Sequence, residues 1–160
     1  MAHLLEVSNL HVEFATPEGR VPAVRGVSFK VDRGETLAIV GESGSGKSVT
    51  SMAVLGLIAR PGRIAEGRIS LEGRNLRTLS GRELRRRRGK EMSVIFQEPM
   101  TSLNPVFTIG YQIAEVIRAH EKASRAETRR RVLDMLERVG IANAGKVASS
   151  FPHQLSGGMR

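Results

Sequence analysis

The sequence contains no cysteine and no tryptophan, and only 4% of its 160 residues are aromatic. Without cysteine, neither a disulfide framework nor a thiolate metal site can form. Long apolar runs are also missing. The stretch 52–59 is the longest of note, and only if its glycine is counted, whereas a membrane span needs about 20 residues. The N-terminus shows no basic segment followed by an apolar one, as a secretory signal would. These features predict one domain, or part of a larger one, that is soluble or peripheral to a membrane.

Acidic residues are outnumbered, with 16 Asp and Glu against 25 Lys and Arg, so the formal net charge is +9. Residues 82–90 (RELRRRRGK) alone carry six positive charges and one negative charge. No aromatic residues are interleaved with these cations. The pattern therefore favours a solvated face, or contact with phosphates or lipid headgroups, over specific recognition of nucleic acid.

The most informative stretch is GESGSGKS at 41–48, which matches the G-x-x-x-x-G-K-[ST] pattern of a phosphate-binding P-loop. Its context fits, because 36–40 (TLAIV) is typical of a buried parallel strand and 47–59 is compatible with a helix. Pro61 and Gly62 then predict the end of that helix. The alternative is an ordinary Gly/Ser turn before a helix. The loop consists of Gly41, Glu42, Ser43, Gly44, Ser45, Gly46, Lys47 and Ser48.

Each residue type in this loop has a chemical reason. The glycines permit backbone conformations in which successive N–H groups point inward around phosphate oxygens. The helix start adds free N–H donors and a positive dipole end. Lys47 is expected to reach the β- and γ-phosphates, and the Ser48 hydroxyl to ligate Mg²⁺. The loop by itself predicts a nucleotide phosphate, without specifying the nucleotide.

Other periodic segments surround this loop. Alternating apolar residues predict strands at 3–14 and 27–31, in a small antiparallel β unit before the loop. Further strands are predicted at 67–71 and 92–96. The S-x-x-E pattern at Ser80 predicts a short basic helix. A helical pair is predicted over 109–140, whose second helix begins with a similar pattern at Ser124 and ends at Gly140.

Three positions have two interpretations each. Phe14 could offer a ring to adenine, although spacing alone favours a core phenylalanine. Gln97 directly follows a predicted core strand, where open α/β sheets place ligand-binding groups, but a surface loop glutamine is equally compatible. Ser156 could cap a helix that begins at Gly157, which would form a second anion site with Gly158, although S-G-G is also common in linkers.

Together these motifs resemble the ATP-binding subunits of ABC transporters, and more narrowly the oligopeptide/dipeptide importer branch. GESGSGKS resembles the Walker A loop of that family. IFQEPMTSLNP at 95–105 resembles its Q-loop region, and LSGGMR at 155–160 resembles its signature motif. The three motifs occur in the family's order and span nearly the whole chain. The resemblance implies an α/β P-loop fold of ABC type, with an antiparallel β unit, a parallel core and an inserted helical subdomain.

The resemblance also implies roles for single residues. Phe14 would stack on adenine, and Gln97 would contact Mg²⁺ and the attacking water. Ser156, Gly157 and Gly158 would bind the γ-phosphate of ATP held by a partner subunit. Implied partners are transmembrane permease subunits, a second identical or paralogous ATP-binding subunit and, indirectly, an extracytoplasmic solute-binding protein. The implied location is the cytoplasmic face of the inner membrane, and no specific nucleic acid is expected.

The family pattern continues beyond residue 160 into a strand that ends in Asp-Glu, and this pair is not found in the sequence. We therefore expect residues 1–98 to form a partial ATPase core and 99–160 a helical subdomain, with the C-terminal half of the domain absent. This chain alone is expected to hydrolyse ATP slowly or not at all. The alternatives are a non-transport ABC protein acting on nucleic acid or ribosomes, an inert truncated fragment, and an unrelated P-loop kinase or GTPase.

Overall fold

The computed structural model describes residues 3–96 and 102–159. The chain divides into two compact units, Met1–Arg88 and Gly89–Arg160. The boundary predicted between residues 98 and 99 falls within 97–101, outside the described residues, so that division stays a prediction.

Strand β1 (Leu5–Thr16) lies at the centre of the first unit. It pairs antiparallel with β2 (Gly19–Val31) on one side and with β3 (Gly62–Leu71) on the other. A two-residue strand, β4 (Arg74–Asn75), pairs with the end of β3. Within the described residues this gives a four-stranded sheet in the order β2-β1-β3-β4. The predicted antiparallel β unit is confirmed.

One face of this sheet is buried. Val7, Leu10 and Val12 of β1 and Ile69 of β3 are almost completely inaccessible to solvent. Leu10 and Val12 follow the period-two alternation of a half-buried strand, whereas Val7 and Leu10 are three residues apart and are both buried because the register of β1 shifts between them, at Asn9 with φ +49°. Helix α1 (Lys47–Val54) packs against β1 and β2. It ends earlier than the predicted helical stretch 47–59, because Gly56 adopts a left-handed conformation with φ +63°.

The two stretches predicted as buried parallel strands differ from the prediction. Neither 36–40 nor 92–96 forms a strand in the described part of the chain. Val40 is 88% exposed and Ile95 is 98% exposed. A strand is defined by its neighbours, and a parallel core strand needs one on each side. The described residues place no such neighbours beside these stretches, and most of their large apolar side chains are exposed.

The first unit ends with a 3₁₀ turn at Leu76–Thr78 and helix α2 (Gly81–Arg87). The predicted capping box at the start of α2 is confirmed. The Ser80 hydroxyl accepts a hydrogen bond from the Glu83 N–H at 3.3 Å, and the Glu83 carboxylate accepts one from the Ser80 N–H at 2.8 Å.

The second unit is helical, with α3 (Ile109–His120), α4 (Arg125–Arg138) and α5 (Ala144–Ala148). Thr108 and Ser124 cap α3 and α4 by accepting hydrogen bonds from N–H groups three residues later. The predicted helical pair is thus confirmed. The core of the second unit consists of Ile109, Ile117, Val132, Leu136, Ala144, Val147 and Leu155.

The described chain ends with two 3₁₀ turns, Pro152–Gln154 and Gly157–Met159. Leu155 lies between them and is buried in the core of the helical unit. None of the helices in ranges 3–96 and 102–159 is both long enough and apolar enough to span a membrane.

Candidate nucleotide-binding site

The glycine loop at 41–48 leads into the first turn of α1, as the motif predicts, but the segment before it has no regular secondary structure. Gly46 immediately precedes the helix, with φ +90°. A Cβ at this position would lie 2.5 Å from the carbonyl oxygen of Ala23 in β2. Two independent reasons therefore favour glycine at position 46: its left-handed backbone conformation and its close contact with the sheet.

The start of α1 is held by a buried threonine that the sequence analysis did not single out. The Thr50 N–H and the Thr50 hydroxyl both donate to the carbonyl oxygen of Gly46, at 2.8 and 2.9 Å. A hydroxyl-bearing residue four positions after the last loop glycine was the available sequence signal. The first N–H groups of any helix lack intrahelical acceptors. The two Thr50 bonds therefore fix the first turn of α1, with its unpaired N–H groups, next to the loop.

Lys47 folds back across the loop. Its ammonium nitrogen Nζ lies 2.7 Å from the Gly41 carbonyl oxygen, 2.6 Å from the Glu42 carbonyl oxygen and 3.2 Å from the Ser45 hydroxyl. These three acceptors match the three donors of an ammonium group. An anion in the loop would compete for the same protons, and its phosphate oxygens would replace neutral carbonyls with charged acceptors, which form stronger hydrogen bonds.

Ser48 follows Lys47 on the exposed surface of the first turn. Among the described residues, no group of three or more His, Cys, Asp or Glu side chains is placed to hold a metal ion. Mg²⁺ does not require such a cluster, because it binds through few protein oxygens together with water and phosphate oxygens. The exposed Ser48 hydroxyl beside an anion loop fits that requirement.

The remaining predicted site residues lie elsewhere. Phe14 is half-buried on β1, and its ring packs so closely against Gly62 that a Cβ there would lie 2.5 Å from Phe14 Cε1. Ser156, Gly157 and Gly158 are exposed on the second unit. Gln97 lies outside the described residues. The structure thus brings together Lys47, Ser48 and the loop, and the roles of the other residues stay predictions.

A second residue missed by the sequence analysis is Arg88, which was treated only as one member of the basic cluster 82–90. Its side chain donates from Nε to the Leu55 carbonyl oxygen and from Nη2 to the Gly56 carbonyl oxygen, both at 2.7 Å. It therefore contacts the C-terminal end of the helix whose N-terminal end carries Lys47. A run of arginines gives no sequence signal for such a contact.

Carboxyl groups with displaced pKa values in the described residues lie outside the loop. Hydrogen bonds from Arg20 and Arg63 lower the pKa of Glu13. The capping bonds of Ser80 lower the pKa of Glu83, and Arg131 lowers that of Glu121. These three groups stabilise local structure and are not near the phosphate-binding motif in sequence.

A glycine loop that leads into a helix N-terminus, with lysine and serine as the first helical residues, defines a P-loop nucleotide-binding protein. The family model described as "ABC transporter" matches residues 24–160. The chain belongs to the ABC transporter family.

Comparison with curated proteins agrees. The chain is 52% identical over 161 residues to the oligopeptide transport ATP-binding protein OppD of Bacillus subtilis, covering 100% of this chain and 45% of that protein. It is 51% identical over 158 residues to the dipeptide transport ATP-binding protein DppD of Lactococcus lactis, covering 98% and 45%. The glutathione import ATP-binding protein GsiA of Escherichia coli K12 is 49% identical over 164 residues, covering 99% and 26%. The chain spans about half the length of OppD and DppD.

The fold comparison supports the same assignment. The dimeric structure of MJ0796, a bacterial ABC transporter cassette, superposes with a TM-score of 0.83 at 25% identity, covering 97% of this chain and 64% of that one. A second MJ0796 structure, a post-hydrolysis state bound to ADP and phosphate, gives a TM-score of 0.81 at 24% identity. The predicted fold class, an α/β P-loop ATPase of ABC type, is confirmed, although the predicted parallel core strands do not form within the described residues.

Proposed function

We propose that this chain is the nucleotide-binding part of an importer's ATP-binding subunit, and that ATP binding and hydrolysis there drive uptake of peptides or related small solutes. One observation carries the nucleotide assignment: Lys47 and Ser48 begin a helix directly after a glycine loop, with the Lys47 ammonium held across that loop. The peptide-class substrate is proposed from the similarity to OppD and DppD.

ATP binding would exchange acceptors around Lys47. Its ammonium leaves the carbonyls of Gly41 and Glu42 for phosphate oxygens, while N–H groups at the start of α1 donate to the same phosphates. Ser48 would hold Mg²⁺, which neutralises phosphate charge when bound. Phe14 would stack on adenine, and Gln97 would orient the attacking water. We further propose that residues 1–160 by themselves hydrolyse ATP slowly, because the family's Asp-Glu pair is not in their sequence.

The signature residues would act on a second subunit. Ser156 and the following glycines are exposed on the helical unit, and Leu155 fixes them to its core. Exposed donors on a compact unit suit contact with a phosphate held by another ATP-binding subunit, identical or paralogous. MJ0796 is described as dimeric.

The helical unit also offers a surface for the permease. The rings of Phe107 and Tyr111 stack with centroids 4.8 Å apart, and both residues are exposed, as is Val116 further along α3. Exposed apolar residues of this kind mark protein contacts. This supports docking on transmembrane subunits at the cytoplasmic face of the inner membrane, with a solute-binding protein acting indirectly.

The test is equilibrium binding of MgATP to the full-length protein and to Lys47→Ala. We expect the Kd to rise at least about tenfold, since hydrogen bonds to charged groups are lost. Lys122→Ala is the matched control, because it removes the same charge from an exposed position between α3 and α4. Failure of the wild-type protein to bind ATP, or an unchanged Kd in Lys47→Ala, would contradict the proposal.

A further inference from the structure

Arg88 differs from its neighbours in the basic cluster. Arg82 and Arg85 are exposed on α2, whereas Arg88 is half-buried and uses two donors of its guanidinium group. Its acceptors, the carbonyl oxygens of Leu55 and Gly56, belong to two consecutive residues. The planar guanidinium group suits such a pair, because its donors are fixed in a fork.

The acceptors lie where α1 stops. The Gly56 N–H donates to the Ala53 carbonyl oxygen at 3.0 Å, and the Leu57 N–H donates to the Met52 carbonyl oxygen at 2.8 Å. This pair of bonds is the Schellman arrangement, and it satisfies carbonyls within the last turn. The Leu55 and Gly56 carbonyls come next, and Arg88 donates to them. A cation here also interacts favourably with the negative end of the helix dipole.

Helix α1 needs such support because it is short. Eight residues form about two turns, and an isolated helix of that length is unstable in water. Its first end is held by Gly46 against β2 and by Thr50. Its second end is held by Arg88 and by Leu84 of α2, whose Cδ1 lies 3.2 Å from the place of a Cβ on Gly56. The helix is therefore fixed at both ends.

We propose that Arg88 is a positioning residue for nucleotide binding. By holding the C-terminal end of α1, it sets the direction in which Lys47 and Ser48, at the other end, meet the phosphates. Arg88 would touch neither nucleotide nor metal. The inference rests on the proposed ATP site, because it concerns how that site is held in shape.

The experiment measures MgATP affinity, melting temperature and amide exchange of α1 in the full-length protein. Arg88→Ala is compared with Arg88→Lys and with Arg85→Ala, which removes an equal charge from an exposed position on α2, the helix that Arg88 directly follows. At a temperature where all variants are folded, Arg88→Ala should raise the Kd about tenfold and speed exchange at Gly56 and Leu57. Arg88→Lys should fall between Arg88→Ala and wild type, and Arg85→Ala should match wild type.

The outcomes separate the two proposals. A wild-type protein that does not bind ATP overturns the proposed function. A wild type that binds, with affinity lost in Lys47→Ala and unchanged in Arg88→Ala, overturns only the role of Arg88. A lower melting temperature in Arg88→Ala with an unchanged Kd in the folded state means a purely structural contact, and also overturns it. An equal loss of affinity in Arg85→Ala would assign the effect to general charge instead.

Discussion

The two compact units close their cores differently. In the helical unit, α3, α4, α5 and Leu155 surround one apolar cluster, and the caps of α3 and α4 lie within a few residues of the helices they begin. In the sheet unit, β1 and β3 bury one set of apolar residues, while Leu37, Ile39 and Val40 remain exposed just before the glycine loop. The comparison shows that residues nearby in sequence can cap these helices and bury their apolar faces. A strand instead depends on pairing partners that are distant in sequence.

The largest effect should come from the two cores. Leu136→Ala removes a buried side chain of the helical unit, and Leu10→Ala removes one of the sheet unit. Each should lower the free energy of unfolding by about 2–5 kcal/mol. Met135→Ala is the control, because Met135 neighbours Leu136 but is exposed. Denaturant unfolding followed by residue-resolved amide exchange would measure the change. We expect each substitution to reduce protection mainly in its own unit. Equal loss of protection in both units after either substitution would contradict this and show that the units do not unfold separately.

A smaller effect is expected from the loop glycines. Gly44 and Gly46 both have left-handed backbones, with φ +80° and +90°. A Cβ at Gly44 meets nothing within 4 Å, whereas one at Gly46 would strike the Ala23 carbonyl. Gly44→Ala should cost about 1 kcal/mol of stability from backbone strain, and Gly46→Ala more, because the sheet contact must also yield. Thermal unfolding of the two variants measures the difference, and equal costs would refute the role of the contact.

The cap of α4 should contribute about 1 kcal/mol. Ser124→Ala removes the acceptor for the Glu127 N–H and leaves that donor at the helix start without its partner. Ser124→Asp supplies another acceptor and should retain most of the stability. If circular dichroism melts of Ser124→Ala and wild type coincide, the cap is not needed to hold α4.

The smallest effect should come from Glu13, which links three strands. Its carboxylate accepts from Arg20 of β2 and from Arg63 of β3, the latter at 2.7 Å. These arginines lower the pKa of Glu13 from its ordinary value of 4.5. The contribution to stability is therefore present above that value, and is lost as the pH falls through the lower pKa of the folded protein. Unfolding measured at several pH values should show wild type and Glu13→Gln converging in acid. A constant difference would contradict this.

Sequence reasoning located most elements but not their limits. Helices α2, α3 and α4 follow from capping residues and apolar spacing, which are local signals. Strand β2 begins at Gly19 rather than 27, since its first half contains Pro22 and Gly26 and is organised by pairing with β1. Strand β3 likewise begins at Gly62 rather than 67. Register against another strand decides these limits, and a single segment does not contain that information.

The candidate site shows the same division. The loop, with Lys47 and Ser48 at its end, can be recognised from the motif at 41–48 alone. The supports of the loop are less evident. Thr50 lies in the helix that follows the loop and has a local signal, but Ala23 and Arg88 come from segments distant in sequence and contribute through a carbonyl contact and a guanidinium group. No motif spans them, since the positions are brought together only by folding.

The pairing of β1 on both sides has a consequence for synthesis. The hairpin of β1 and β2 is local, so it can form as soon as residue 31 leaves the ribosome. The glycine loop and α1 emerge next, but β3, the second partner of β1, is not complete until residue 71, and Arg88 follows later still. Because the chain emerges at about 5–20 residues per second, the nascent loop follows a formed β1–β2 hairpin for seconds before β3 can pair. During that interval the phosphate-binding segment is outside the ribosome while β3 and Arg88 are still to come.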